Sequence, residues 1–225
     1  MNRNLYTQRR TFDREVINMT NVLTNPDGFF SELSARDTNL KIPFAIVLVA
    51  AIIAAISAAM MVSAMTSLLP EEAVPFAAIG AAAGAIGGLI MQFILWLLYA
   101  GVFYVISIFF GGEGSFKRCL EFTGYGFIPT IIGAVIGLAV MMTVLPTIEF
   151  SLEDPQLFQQ TLMQNPLMQA SSIIGILLTL WSANIWIFGI KHARNISTKN
   201  ALITVGVPVG LYLLYSISMM YKMGI

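Results

Sequence analysis

The chain has 225 residues, of which 57% are hydrophobic and only 11% charged, with twelve Lys and Arg matched by twelve Asp and Glu. Soluble domains carry a charged fraction of about 25%, so the composition excludes an ordinary water-soluble enzyme. Zero net charge argues against a nucleic-acid partner, and a lone Cys119 excludes a disulfide scaffold.

Every charge falls outside five stretches, residues 42–70, 73–112, 122–148, 155–190 and 200–221. A bilayer core about 30 Å thick needs roughly 20 apolar helical residues, and each stretch is long enough. The expected fold is an all-α polytopic transmembrane bundle of five spans, with residues 1–41 as an N-terminal arm and 42–225 as the membrane domain. The first 41 residues hold no apolar run long enough for a signal-peptide core, so the arm is expected to stay attached. Eleven Lys and Arg (Arg3, Arg9, Arg10, Arg14, Arg36, Lys41, Lys117, Arg118, Lys191, Arg194 and Lys199) fall on one side of a five-span chain, and only Lys222 on the other. Basic loops stay in the cytoplasm, which places the N-terminus inside and the C-terminus outside.

In the arm, Phe12, Val16, Met19 and Leu23 repeat at helical spacing, and Asn25-Pro26-Asp27-Gly28 interrupts them. Phe29, Phe30 and Leu33 then either lie among lipid headgroups, with Arg36 and Lys41 reaching phosphates, or pack as a cap on the bundle. The first span, 43–69, opens at Pro43 and carries adjacent alanine rows, Ala50-Ala54-Ala58 and Ala51-Ala55-Ala59. The second, about 75–110, exceeds one ordinary span. Counting back about 22 residues from the Gly111-Gly112 turn reaches Leu89, so residues 73–88 either extend a long tilted helix or form a separate outer segment. Gly80, Gly84 and Gly88 stand four apart in it, a row suited to close helix packing.

The third span is expected at 122–145, with Gly133 and Gly137 as a packing pair and a kink at Pro129. Asp154-Pro155 starts a short outer helix, and Asn165-Pro166 starts the fourth span, 166–190. The fifth, 201–221, carries Gly206 and Gly210 for packing and a bend at Pro208.

Proton-coupled transport and intramembrane hydrolysis need ionisable groups at depth, and the five stretches hold none. The single histidine, His192, sits in a loop, so no His metal cluster or catalytic triad can be assembled. No enzyme, cofactor or metal is expected. Gln92, Ser182 and Asn184 are the polar groups at depth, read as interhelical hydrogen-bonding or as the lining of a polar path. The loop Gly111-Gly112-Glu113-Gly114-Ser115-Phe116-Lys117 lacks the GxxxxGK[ST] spacing of a phosphate loop and reads as a tight turn, with Ser115 capping a short helix that buries Cys119. Sequons at Asn18 and Asn195 fall on the cytoplasmic side and should go unused.

The order of three short motifs resembles one family. Asn25-Pro26-Asp27-Gly28-Phe29-Phe30-Ser31-Glu32-Leu33 before the first span, Gly111-Gly112-Glu113-Gly114-Ser115-Phe116 followed by Gly124-Tyr125 and Pro129, and Trp181, Gly189, Ser197-Thr198 and Ala201 are similar to the Ypt-interacting-protein (Yip) domain family, prokaryotic branch. The resemblance implies five spans with a cytoplasmic N-terminus, in the cell membrane of a prokaryote. In the eukaryotic branch it implies Rab-type GTPases, vesicle traffic and membrane shape; this chain lacks the acidic-Leu-Tyr-Gly-Pro segment of that branch, which argues against GTPase binding.

The expected function is a non-enzymatic membrane scaffold or adaptor, with the bilayer and another membrane protein or a second copy as partners. A small-solute channel or facilitator lined by Gln92 and Asn184 is the alternative. The candidate partner or lipid surface is Phe29, Phe30, Gly111, Gly112, Gly114, Phe116, Tyr125 and Pro129. From the charge asymmetry, cysteines introduced at Ser115 and Asn195 should react with an impermeant maleimide only from the cytoplasm, and one at Glu153 only from outside. Labelling of Ser115 and Glu153 from the same side would discard the five-span topology.

Overall fold

The computed structural model describes residues 19–66, 74–148 and 155–222, and these are entirely helix, turn and loop, without a strand. Phe12, Val16 and the acidic positions Glu71, Glu72, Glu149, Glu153 and Asp154 lie outside the described residues. Residues 19–24 are helical and end at Asn25, whose side chain accepts from the Gly28 N–H at 3.2 Å and starts α1, Pro26–Ser34. The long helices are α2 (Lys41–Thr66), α3 (Val74–Ile108), α5 (Ile128–Val144, prolonged by a 3-10 turn Leu145–Thr147), α7 (Pro166–Arg194) and α8 (Thr198–Lys222). All five are long and apolar enough to cross a bilayer. Two short helices complete the described chain, α4 (Phe116–Tyr125) and α6 (Pro155–Gln164).

The second apolar stretch is one uninterrupted helix of 35 residues, which decides between the two readings of residues 73–88: from Val74 onward they extend the span. At 1.5 Å per residue it is about 52 Å long and must tilt or project beyond a 30 Å core. Its partner is α2, the most extensive helix pairing in the bundle. A Cβ built on Gly88 would lie 2.8 Å from the Ala54 carbonyl oxygen and 3.2 Å from the Ala55 Cα, and one on Gly84 would lie 2.9 Å from Val62 and 3.3 Å from the Ala58 carbonyl oxygen. The glycine row of α3 thus lies directly on the alanine row of α2, with Gly80 half-buried two turns from Gly88. Small side chains let dispersion contacts form backbone to backbone, the main attraction between helices where hydrocarbon removes the hydrophobic drive.

The third span departs from expectation. Residues 122–125 belong to α4, the chain turns at Gly126-Phe127, and the span starts afresh at Ile128. Pro129 occupies the first turn of α5, where a missing N–H leaves no bond unmade, so it initiates a helix and does not kink one. The turn is set by Trp186 of α7, whose indole donates to the Thr123 carbonyl at 2.8 Å; a Cβ on Gly126 would lie 2.0 Å from the indole nitrogen.

Across the bundle α5 packs on α7 and α7 on α8. Gly133 faces Leu178 at 3.1 Å and Gly137 faces Ser171 at 3.8 Å, a looser contact than that of α2 with α3. Gly206 and Gly210 make no packing row: nothing lies within 4 Å of a Cβ on either. The buried stripe of α8 is Ala201, Val205 and Val209, which turns those glycines away from the bundle. Pro208 sits within a continuous helix.

The two kinds of glycine should behave differently. Gly88→Leu drives side-chain atoms into backbone that cannot yield and should cost about 1–3 kcal/mol, lowering the thermal midpoint in detergent. Gly206→Leu meets open space and should stay within about 0.5 kcal/mol of the parent. Equal midpoints would mean that the α2–α3 contact is not close.

Candidate functional site on the basic face

Where α1, α4 and the ends of α3 and α7 meet, the bundle carries an aromatic-cored cap. Phe30 is fully buried with its ring 4.8 Å from Phe122, and Phe29 meets Tyr125 edge-on at 5.2 Å. Beneath them Trp186 stacks on Tyr99 at 5.0 Å and meets Phe103 and Phe127 at 5.6 and 5.5 Å. Of the two readings of the Phe29-Phe30 entry, the packed cap is the one adopted. Gly124 makes room for it, since a Cβ there would lie 2.6 Å from Pro43 and 3.2 Å from the Trp96 indole nitrogen, which donates to the Leu120 carbonyl at 2.9 Å.

Three sets of charges hold the cap. Arg194, 2% exposed, closes α7. Its Nε donates to Ser107 Oγ at 2.8 Å, its other two nitrogens donate to the carbonyls of Gly112 and Gly114, and its guanidinium lies 4.2 Å over the Tyr104 ring. In return its own carbonyl accepts from the Glu113 N–H at 2.8 Å. Gly111 and Gly114 have φ of 70° and 108°, conformations that L side chains resist, and a Cβ on Gly114 would lie 2.5 Å from the Ala193 carbonyl oxygen. The chain leaves α7 through Asn195 in the left-handed region, a short polar residue suited to it.

Arg118 of α4 donates to the carbonyls of Leu33, in the last turn of α1, and of Arg36 just beyond it, and pairs with Glu121 at 2.9 Å. Glu121 is fully buried and also accepts the Asn39 N–H at 3.1 Å. Burial raises its pKa above the ordinary carboxyl range, and the Asn39 and Arg118 contacts oppose that rise without cancelling it. Asp27, in the first turn of α1, is bound by Lys191 at 2.7 Å and His192 at 2.6 Å, and these hydrogen bonds lower its pKa. Cys119 is buried and donates to the Ala100 carbonyl at 3.4 Å; desolvation pushes its thiol up to about 12, which leaves no thiolate for chemistry at neutral pH. Among the described residues no three of His, Cys, Asp and Glu stand together as metal ligands.

The cap presents a glycine loop whose backbone is tied down from behind, flanked by exposed rings. Phe109 is 82% exposed, and Phe116 is 38% exposed and held edge-on to Tyr104 at 5.6 Å. Gly111, Gly112, Gly114 and Phe116 lie together on this loop and the start of α4. Phe30, Tyr125 and Pro129 are buried and Phe29 is half-buried, so they form the support and not the surface, because α1 docks along α7 and sets its two Phe rings against Phe122 and Tyr125 of α4. Phe109 and Arg194 were not legible as site residues: Phe109 reads as the end of an apolar span, and Arg194 as one of several loop cations.

Gln92, Ser182 and Asn184 make no hydrogen bond between helices among the described residues. Asn184 is exposed, Gln92 half-buried, and Ser182 Oγ buried without a partner. The polar ties between segments come instead from indoles, arginines, the Asp27 cluster, Glu121 and Cys119, including Trp181, whose Nε1 donates to the Leu23 carbonyl at 3.2 Å.

The Yip1 domain family matches residues 20–220, nearly all of the described chain. The chain belongs to the Yip1 domain family. It is 42% identical over 125 residues to an uncharacterized protein of Methanocaldococcus jannaschii, a match covering 56% of this chain and 89% of that relative. No solved structure matches it. Family and helices together make it a multi-pass integral membrane protein of the Yip type whose long apolar helices contact the bilayer.

Arg194 offers a direct test of how the loop is held. Lysine keeps the charge but cannot donate to two carbonyls and a hydroxyl at once. Arg194→Lys should speed amide hydrogen exchange across residues 111–115 by about tenfold or more, with exchange in the middle of α2 and α3 unchanged. Unaltered exchange in the loop would show that the glycines hold their conformation unaided.

Proposed function

We propose that this Yip1-domain protein is a non-enzymatic scaffold of a prokaryotic cell membrane, its basic face in the cytoplasm, where it recruits a protein partner. The observation that carries the reading is the pairing of rigid support with an exposed aromatic surface: Phe109 and Phe116 flank a loop that Arg194 pins to α3 and α7. Aromatic groups on a preorganised backbone bind with little entropy loss and dominate interface energies. Lys117 beside them is exposed and adds a positive charge at the rim. A solute path through Gln92 and Asn184 finds less support, since neither lines the cleft between α5, α7 and α8 or the groove beside α2.

Photo-crosslinking residues placed at Phe109 and at Phe116 should capture the same protein in the native membrane. Phe109→Ala combined with Phe116→Ala should weaken that complex by about tenfold or more while insertion and monodispersity persist. Phe30→Ala should instead loosen the cap itself. Full retention of the partner by the double variant would overturn the assignment of the surface.

A further inference from the structure

A cleft of about 430 Å³ lies between α5, α7 and α8, far along α8 from the basic face. We propose that it binds the uncharged, oxygen-bearing part of an amphiphile dissolved in the bilayer, an acceptor of hydrogen bonds with an apolar tail. The argument begins with its hydroxyl groups. Thr130 donates to the Phe127 carbonyl at 2.7 Å, Ser172 to Met168 at 2.9 Å, Thr179 to Gly175 at 2.9 Å and Ser216 to Tyr212 at 2.9 Å. Each of these lining hydroxyls has thus placed its proton on its own helix or the turn before it. Tyr212 and Tyr215, both exposed, also line the cleft, Tyr212 within electrostatic range of Tyr99, and neither phenol makes a hydrogen bond among the described residues.

The cleft therefore presents two phenol donors whose protons are uncommitted. In water such groups would be satisfied, but Tyr215 stands six positions before the exposed Tyr221, which ends the apolar span, about 9 Å of helix inward from it. A donor at that depth gains most from an acceptor brought by a membrane-soluble molecule. No charged side chain lines the cleft, so the part that enters is uncharged. The ester or ether oxygens of a membrane lipid and the carbonyls of an isoprenoid quinone share this chemistry.

Shape agrees with that class. The volume falls in the range of small-molecule pockets, roughly 300–1,000 Å³. It holds a linkage region and part of one chain, and the rest extends into the bilayer past Tyr215, which is well exposed. Nothing lies within 4 Å of a Cβ on Gly175, and Met219 and Met220 give the wall soft side chains that adapt to a tail. Beyond Thr179, on the same face of α7, Ser182 Oγ is buried without a partner, a further polar atom in line with the row.

The test uses the full chain in phosphatidylcholine nanodiscs with, in separate arms, a photoactivatable diacyl phosphatidylcholine and a photoactivatable short-chain quinone. Crosslinks mapped by mass spectrometry should concentrate on residues 172–179 and 212–220 over the lipid-facing controls Leu95 and Leu202. Capture of the first probe assigns the site to a lipid linkage region, and capture of the quinone alone assigns it to a free carbonyl compound. Tyr212→Phe with Tyr215→Phe, which removes only two oxygens, should lower the yield at the cleft by about tenfold, the factor for two net hydrogen bonds. Gly175→Leu should fill the cleft and abolish it. Yields equal to the controls in both arms, or unchanged by the tyrosine substitutions, would overturn the proposal.

Discussion

Each interruption of helix on the basic face leaves backbone carbonyls with bonding capacity that a continuous helix would use, and the structure depends on side-chain donors delivered to them. Five long side chains do this. Arg194 serves Gly112 and Gly114, Arg118 serves Leu33 and Arg36, Trp186 serves Thr123, Trp96 serves Leu120 and Trp181 serves Leu23. Each donor belongs to a different segment from its acceptor, so satisfying the carbonyl also fastens two elements. The Leu33 and Thr123 carbonyls also accept the Arg36 and Gly126 N–H groups, so there the side chain adds a second bond to a helix end; the Gly112 and Gly114 carbonyls lean on the buried Arg194, where an unsatisfied carbonyl would cost about 1–3 kcal/mol.

That requirement explains the uneven construction of the molecule. On the basic side, donors and aromatic rings make a dense cap in which α1 and α4 are layered over α7. Along the middle of the bundle, the close contact is between the glycine row of α3 and the alanine row of α2, where nothing polar is needed because helices satisfy their own backbones. Toward the far end, α5, α7 and α8 separate enough to leave the hydroxyl-lined cleft.

The cap and the cleft are suited to different tasks for the same reason. The Phe109 and Phe116 surface stands on elements that are over-determined by hydrogen bonds, so a partner meets a preformed shape. The cleft has unpaired phenols and flexible methionines, a wall able to adapt to something that arrives from the bilayer.

Five spans, the helix starts at Ser115 and Asn165, and the glycine row of α3 were legible in the sequence, because they follow from hydrophobic run length, capping chemistry and side-chain size, all local properties; Asn25-Pro26 read only as an interruption, although it starts α1. The tertiary structure alone decided the rest. Whether Phe30 met lipid or protein depended on α7 being present to receive it. The break at Gly126 depended on a tryptophan 60 residues away, and Gly206 and Gly210 matched a packing pattern but face away from the bundle because Ala201, Val205 and Val209 supply the buried stripe of α8. Arg194 looked like its neighbours Lys191 and Lys199, and only the fold brought Ser107 and two glycine carbonyls within its reach. Run length and caps are written along one strand of chain, whereas the partner of a buried donor is chosen by which segments meet in space.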